Sequence, residues 1–234
     1  MPTQSVRVPT EDGDELDAHL AVPDRGGGPG MLLLHEAGGV TGYMRGVAGR
    51  LADLGYVTLA PDLFWRIERN VDLQGDKDMT RALDLIGQFD SHAGVRDAAA
   101  ATAYLQRRPE VDGPVGVIGF CFGGGLTYGV ACELDPHCAV AYYGVGVELL
   151  AERIQEVTCP ALLQFGTDDV FISPDALDKL RVAARSRPNV EIEVYEGAGH
   201  AFDNPYAEWH DPDAASRAWD RTAAFLAENL RSER

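Results

Sequence analysis

The positions of apolar and polar residues divide the chain into two alternating kinds of segment. Short apolar runs bounded by polar or turn-forming residues predict strands, and these runs are GMLLLHE, YVTLAPD, PVGVIGF, CAVAYYG, PALLQFG and VEIEVYEG. Longer segments with apolar positions three and four apart predict helices, and these are TGYMRGVAGRLADLG, DKDMTRALDLIGQF, SHAGVRDAAAATAYLQRRP with Ser91 as its cap, GGGLTYGVACEL, residues 174–186 and AASRAWDRTAAFLAENL. Ahead of all of them, SVRVP and ELDAHLAVP flank the turn residues EDGD and predict an antiparallel pair of strands.

The alternation of strands and helices predicts the architecture. Helices of this length between strands imply a mainly parallel, twisted sheet with helices on both faces, wound in one right-handed sense. Composition agrees, because 45% hydrophobic and 24% charged residues in a chain of 234 suit an ordinary globular core. We therefore predict an α/β fold in a single domain over residues 1–234. In such a sheet, functional loops follow the carboxyl ends of the strands.

An excess of acidic residues limits the possible partners. The chain has 37 acidic and 20 basic residues, a formal net charge of −17, and the acidic residues are spread along it. A nucleic-acid backbone or an anionic membrane surface would be repelled, so neither is an expected partner. The first twenty residues lack the pattern of a secretion signal, and four irregularly spaced cysteines do not suit a disulfide framework. We expect a cytoplasmic protein with free thiols, as a monomer or small homo-oligomer.

One cysteine stands where the chain must turn sharply. Cys121 follows the predicted strand PVGVIGF, precedes a predicted helix, and has a glycine two positions before it and another two positions after it. Glycine lets neighbouring backbone pack closely, so Gly119 and Gly123 indicate a tight turn with Cys121 at its apex. This strand–turn–helix context is that of a nucleophile elbow, with cysteine in the usual place of serine. A buried cysteine in a tightly packed helix is the alternative, but the predicted turn favours the nucleophile.

A thiol nucleophile needs a base and a group that orients the base. In hydrolases with a nucleophile elbow, an acid and then a histidine follow the nucleophile, each in a loop after a later strand. Among the six histidines, only His200 lies both late in the chain and directly after a predicted strand. The loop after PALLQFG offers Asp168 and Asp169. We favour Asp169, although adjacent side chains point in different directions and the sequence alone leaves the choice open.

The loop after the strand GMLLL carries the residues His35 to Gly39, HEAGG. In the hydrolase fold, this loop supplies one backbone N–H to an oxyanion hole, and the residue after the nucleophile supplies the other. We therefore predict that the amides of Ala37 and Phe122 bind the oxyanion. Glu36 should require a partner, because a carboxylate that points into such a pocket is costly to bury alone.

Six motifs occur in order along nearly the whole chain: HE at 35–36, APDLFWR at 60–66, GFCFGG at 119–124, YYGVG at 142–146, GTDD at 166–169 and YEGAGHAF at 195–202. Together they resemble the dienelactone hydrolases. The resemblance implies an α/β-hydrolase fold with a triad of Cys121, His200 and Asp169 that opens enol-lactones or esters through an acyl-thioester. It also implies that Glu36 holds the resting thiol and moves when substrate arrives, so that the thiolate forms with the ligand bound.

Two positions depart from that family. Members that act on dienelactone hold its carboxylate with two arginines, whereas the matching positions here are Asn204 and Met79. Without the arginines an anionic lactone loses charge-assisted contacts, so a neutral ester or lactone is the expected small-molecule substrate. We expect Asn204, the nearby Arg81 and the aromatic Trp65 to contact substrate, with simple packing as an equal alternative for Trp65.

No metal or cofactor is expected. Cys132, His137 and Cys138 are close in sequence, but a structural zinc needs four ligands and no adjacent residue provides the fourth. Two functions stay open from the sequence. One is a thiol-dependent hydrolase of lactones or esters, and the other is a ligand-binding protein on the same fold whose triad does not turn substrate over. The co-occurrence of a triad and an oxyanion loop favours the hydrolase.

Overall fold

The computed structural model describes residues 3–74 and 78–230, and a sheet of eight strands forms its centre. The strands are β1 (Thr3–Pro9), β2 (Glu15–Ala21), β3 (Gly28–Leu34), β4 (Val57–Pro61), β5 (Val111–Phe120), β6 (Ala139–Tyr142), β7 (Ala161–Gly166) and β8 (Val190–Tyr195). The helices are α1 (Gly42–Asp53), α2 (Met79–Gln88), α3 (Ser91–Gln106), α4 (Phe122–Glu133), α5 (Val147–Arg153), α6 (Pro174–Ala184) and α7 (Pro212–Asn229), with a 3-10 turn at Ile154–Glu156. Every strand and helix predicted from the apolar pattern is present among the described residues, and the first two residues of the segment predicted from Asp76, residues 76–77, lie outside them.

The strand order places the candidate loops together. The order across the sheet is β1-β2-β4-β3-β5-β6-β7-β8. β1 pairs with β2, and β2 with β4, in antiparallel fashion, and the remaining neighbours are parallel. Because parallel strands end on the same side, the loops after β3, β5, β7 and β8 leave the sheet at one end, as expected for a site of this architecture.

Both faces of the sheet are buried, which explains the continuous apolar runs of its central strands. Along β3, Leu32 and Leu34 belong to one hydrophobic cluster, whereas Met31 and Leu33 belong to another on the opposite face. All four side chains are fully buried. Within the ranges that the structure describes, no helix has the length and apolar character needed to cross a membrane.

Two local details differ from the sequence prediction. The cap of α3 is Asp90, whose carboxylate accepts hydrogen bonds from the amides of His92 and Ala93, and Ser91 is the first helical residue. A carboxylate suits this position because it also interacts favourably with the helix dipole. The short helix α5 was not predicted. It begins after Gly146, which has a φ of 82°, and its seven residues are too few for a clear helical period in the sequence.

Replacing Gly123 with alanine is expected to destabilise the fold strongly. A Cβ at this position would lie 2.2 Å from the carbonyl oxygen of Leu34 and 2.5 Å from that of His35, and backbone atoms cannot rotate away. Overpacking of this kind costs about 3 kcal/mol, which for a chain of this size lowers Tm by about 10 °C. The matched control is Gly46→Ala in α1, where a Cβ meets nothing within 4 Å and helix propensity should raise Tm slightly. Equal shifts in thermal unfolding for the two variants would contradict this account.

Candidate active site

Cys121 occupies the turn between β5 and α4 in a strained conformation. Its φ is 53° and its ψ is −114°, a region that residues with a side chain rarely adopt. Three backbone hydrogen bonds hold the turn: the Cys121 amide donates to Tyr142 O at 3.0 Å, and the amides of Gly125 and Val145 donate to Cys121 O at 3.0 and 3.4 Å. The surrounding strands therefore fix a geometry that projects Sγ away from the sheet into the pocket.

The two glycines around Cys121 allow the turn to pack against its neighbours. A Cβ at Gly119 would lie 2.2 Å from Gly123 O and 2.3 Å from Oγ1 of Thr127. Gly123 in turn lies against the end of β3, which brings the residue after the nucleophile beside the loop that follows β3. The G-x-C-x-G pattern thus has a steric cause at both glycines.

A continuous chain of hydrogen bonds joins three of the predicted residues. Nε2 of His200 lies 3.1 Å from Sγ of Cys121, and Nδ1 of His200 lies 2.8 Å from Oδ2 of Asp169. The second carboxylate oxygen of Asp169 accepts the amide of Phe171 at 2.9 Å. Asp168 instead faces outward and accepts a hydrogen bond from the Thr167 hydroxyl. The structure therefore places Asp169, and not its neighbour, beside the histidine.

His200 is nearly buried, and its environment controls its charge. Burial by itself would lower the pKa of His200, but the hydrogen bonds to Asp169 and Cys121 outweigh it and raise that pKa to about 10. The imidazole is therefore protonated at neutral pH. At 3.1 Å from Sγ, Nε2 of His200 is in position to exchange a proton with the thiol or with a group bound to it.

The amides of Ala37 and Phe122 are available to bind an oxyanion. Both residues line the same pocket as Cys121. Phe122 is the first residue of α4, so its N–H has no partner within the helix. In the part of the chain that the structure describes, neither amide has a hydrogen-bond acceptor in the protein.

His35 fixes the loop that carries Ala37, a role that sequence reasoning missed. Its ring is fully buried, and burial lowers the pKa of His35 to about 4, so the ring is neutral at neutral pH. Nε2 accepts the amide of Leu63 at 3.0 Å, which leaves Nδ1 to donate to Glu36 O at 2.6 Å. One neutral tautomer thus ties the loop after β3 to the segment after β4.

Glu36 points into the pocket, where Asn204 is its hydrogen-bond partner. Nδ2 of Asn204 donates to Oε1 of Glu36 at 3.0 Å, and Oδ1 of Asn204 accepts the amide of Tyr206 at 2.9 Å. Burial raises the pKa of Glu36 to about 7, although Asn204 and His200 oppose this effect. Among the described residues, Sγ of Cys121 is bonded to His200 and the carboxylate of Glu36 is bonded to Asn204.

A partly exposed ionic network around the buried carboxylate of Asp203 fixes the loop after His200. Asp203 accepts two hydrogen bonds from the guanidinium of Arg50, at 2.9 and 3.3 Å, and one from the hydroxyl of Tyr43 at 2.7 Å. The same guanidinium stacks 3.6 Å above the ring of Trp219 in α7. The network joins α1, α7 and the His200 loop, and no sequence motif pointed to it.

The triad opens into a cavity of about 500 Å³. Its walls are largely apolar, and they come from α2, from Phe171 and from residues 201–209. No lysine or arginine is among the described residues that line it, whereas Glu36, Asp78 and Glu208 contribute carboxylates. Within residues 3–74 and 78–230, no three His, Cys, Asp or Glu side chains come together as a metal site requires.

Two residues predicted to contact substrate lie elsewhere. Trp65 is buried, and its indole N–H donates to Asp97 at 2.8 Å, so it packs outside the cavity. Arg81 lies on the outer face of α2 and forms ion pairs with Glu68 and Asp84. Neither residue lines the cavity. Carboxylates hold the indole N–H of Trp65 in the core and the guanidinium of Arg81 on the surface. Asn204 does line the cavity, with its amide engaged by Glu36.

The sequence and the fold are similar to those of known proteins. Residues 16–230 match the model of the dienelactone hydrolase family. The chain is 35% identical over 228 residues to a carboxymethylenebutenolidase from Pseudomonas sp. strain P51, covering 97% of this chain and 95% of that protein. It is 32% identical over 229 residues to a carboxymethylenebutenolidase from Pseudomonas putida, covering 97% of both. A solved structure assigned to the dienelactone hydrolases, from Klebsiella pneumoniae, is similar with a TM-score of 0.85 and 25% identity, covering 97% of this chain and 98% of that one.

Proposed function

We propose that this chain, which belongs to the dienelactone hydrolase family and is therefore a lactone or ester hydrolase, works through an acyl-thioester on Cys121. The observation that carries the proposal is the hydrogen-bonded chain from Cys121 through His200 to Asp169 at a strained turn facing the cavity. In this triad Asp169 is the carboxylate that orients His200, and the amides of Ala37 and Phe122 donate to the oxyanion.

The first half of the reaction forms the thioester. The thiolate of Cys121 attacks the substrate carbonyl carbon, and the carbonyl electron pair moves onto oxygen, where the amides of Ala37 and Phe122 stabilise the charge. As the carbonyl re-forms, the bond to the leaving oxygen breaks, and that oxygen takes the proton from Nε2 of His200. Asp169 keeps the imidazole oriented and stabilises its positive charge.

The second half releases the acid. Nε2 of His200, now neutral, takes a proton from water while the water oxygen attacks the thioester carbonyl. The tetrahedral intermediate expels the Cys121 thiolate, and the carboxylic acid product leaves. The thiolate and imidazolium are thereby restored, and the net reaction consumes one water.

The lining of the cavity supports an uncharged substrate. The described walls carry carboxylates and no lysine or arginine, and Arg81 is occupied by Glu68 and Asp84 outside the cavity. Among the described lining residues, a substrate carboxylate would find no guanidinium or ammonium partner besides the catalytic imidazole, and it would face like charges.

Initial rates with dienelactone and with a small neutral p-nitrophenyl ester test both parts of this proposal. We expect the neutral ester to have the larger kcat/KM, with Cys121→Ala as the blank for each substrate. Faster turnover of dienelactone would contradict the uncharged substrate but leave the hydrolase intact. Rates no higher than the blank for both esters would contradict the thioester mechanism.

We propose that Glu36 suppresses the resting thiolate when it is ionised. Glu36 lies within electrostatic range of His200, whose ring contacts Cys121. An acid whose pKa is about 7 is largely neutral at pH 6 and largely ionised at pH 8. A carboxylate disfavours a nearby thiolate, so the suppression should be weak at pH 6 and strong at pH 8.

Alkylation of Cys121 by iodoacetamide, without substrate, checks this role. Glu36→Gln should react up to about tenfold faster than the wild type at pH 8, corresponding to about 1.4 kcal/mol of repulsion, and at nearly the same rate at pH 6. The other thiols interfere little, because burial raises the pKa of Cys132, that of Cys138 to about 12 and that of Cys159 to about 11. A rate ratio that does not change with pH would rule out the role of ionised Glu36.

A further inference from the structure

Exposed apolar side chains concentrate at the mouth of the catalytic cavity. Of the exposed large apolar side chains in the part of the chain that the structure describes, half line it, and they are Met79, Leu83, Phe171, Tyr206 and Trp209. Scattered exposed apolar residues need no explanation, but a contiguous group around a pocket indicates a surface that binds something. The group is continuous with the cavity, so its occupant is the molecule that reaches Cys121.

One wall of the cavity is a face of α2. Met79, Ala82, Leu83 and Ile86 follow helical spacing and all line the cavity, while Leu85 is fully buried in the core. Phe89, directly after α2, packs edge-on against the ring of Phe122 at a centroid distance of 4.8 Å. The C-terminal end of α2 therefore lies near Phe122, whose amide is one of the two proposed oxyanion donors.

The other wall is aromatic and lies against the histidine. The ring of Phe171 packs edge-on against His200 with centroids 4.7 Å apart, and the ring of Trp209 lies 6.3 Å from that of Phe171. Since His200 delivers its proton to the leaving oxygen, side chains in contact with His200 flank the alcohol part of the substrate.

We propose that the cavity has two apolar subsites: an acyl subsite formed by Met79, Leu83 and Ile86, and an alcohol subsite formed by Phe171 and Trp209. This inference rests on the proposed function and extends it to a substrate class. The substrates are uncharged esters or lactones with apolar groups on both sides of the reacting bond. A volume of about 500 Å³ is in the range that holds a drug-sized ligand and exceeds the need of a small lactone.

The acyl subsite is tested with p-nitrophenyl acetate and hexanoate, which share one leaving group. A fully buried methylene contributes about fourfold to binding, so the four added methylenes of a partly exposed chain should raise kcat/KM at least tenfold. Leu83→Ala should reduce this hexanoate-to-acetate ratio at least threefold. The matched control is Leu149→Ala, because Leu149 is also a helical leucine, 60% exposed against 56% for Leu83, and does not line the cavity. The control should keep the wild-type ratio.

The alcohol subsite is tested with ethyl acetate and benzyl acetate, which share one acyl group. The wild type should prefer the benzyl ester at least tenfold, and Phe171→Ala should reduce that preference at least threefold. Each variant should affect its own series more than the other, so the two tests cross-check the assignment of the walls. The proposal would be overturned if the wild type had equal kcat/KM for the two esters of each series, or if Leu83→Ala changed the ratio equally in both series.

A labelling experiment separates this inference from the hydrolase proposal. The rate at which N-methylmaleimide and N-hexylmaleimide modify Cys121 depends on the cavity walls and needs no turnover. We expect the hexyl reagent to react at least threefold faster with the wild type, and Leu83→Ala to reduce this ratio. If no ester is hydrolysed but the hexyl preference is present, the hydrolase proposal fails and the apolar walls stand. If esters are hydrolysed but neither the esters nor the maleimides show an apolar preference, the hydrolase proposal stands and the two apolar subsites are ruled out.

Discussion

Replacing Cys121 with alanine should lower kcat for ester hydrolysis by about 10⁴-fold or more. The thiolate is the only nucleophile in the proposed first step, and residual activity would come from the oxyanion amides and the pocket alone. The matched control is Cys132→Ala, since Cys132 is a half-buried thiol whose Sγ contacts Arg153 O and not the cavity. That variant should keep nearly full activity.

The measurement is steady-state hydrolysis of a p-nitrophenyl ester, with thermal unfolding to show that both variants are folded. Alanine keeps the Cβ of Cys121, so the strained turn should be preserved and Tm should change little. More than about one per cent of wild-type kcat in a homogeneous Cys121→Ala sample would contradict the role of the thiol.

Replacing Asp169 with asparagine should lower kcat by about 10³- to 10⁴-fold, whereas Asp168→Asn should change it less than threefold. Asp169 is buried and accepts a hydrogen bond from Nδ1–H of His200, and an amide there cannot stabilise the imidazolium or hold the same tautomer. The adjacent Asp168 is outside the hydrogen-bonded chain, so it controls for loss of one negative charge in this loop.

The pH profile gives this second prediction a distinct signature. Hydrogen bonding to Asp169 is one of the causes that raise the pKa of His200 above its ordinary value. In Asp169→Asn the pKa of His200 should fall, so the imidazolium should be lost as pH rises through a lower value than in the wild type. The acylation rate should therefore decline at lower pH in the variant. Equal losses of kcat in the two aspartate variants would contradict the assignment.

Much of the architecture could be predicted from the sequence because it depends on local patterns. Apolar runs with helices between them gave the strands of a parallel sheet, and the comparisons confirm the family and the α/β-hydrolase fold. The turn at Cys121 was also predictable, because the close backbone contacts at Gly119 and Gly123 require glycine, and both glycines are visible in the sequence. Placement of His200 after β8 followed from the end of the sheet at which its loop emerges.

The rest of the site depends on contacts between distant segments. The bond between Asn204 and Glu36 joins residues 168 positions apart, and Arg50 and Asp203 are 153 positions apart. For Trp65 the sequence left contact with substrate and simple packing equally open, and the structure shows packing, because Asp97 in α3 binds its indole N–H and Arg66 stacks on its ring. Side-chain direction within a loop is set by such partners, and no local pattern in the sequence encodes it.

The most direct test of the account is to trap the acyl-thioester. Without His200 the second half of the reaction lacks its base, so a His200→Ala variant treated with p-nitrophenyl hexanoate at pH 9 should accumulate an acyl group. Mass spectrometry of the intact protein and its peptides should find one hexanoyl group, on the peptide that contains Cys121, and none there in the Cys121→Ala/His200→Ala double variant. Absence of the adduct from Cys121, or a matching stoichiometric adduct in the double variant, would contradict covalent catalysis by this cysteine.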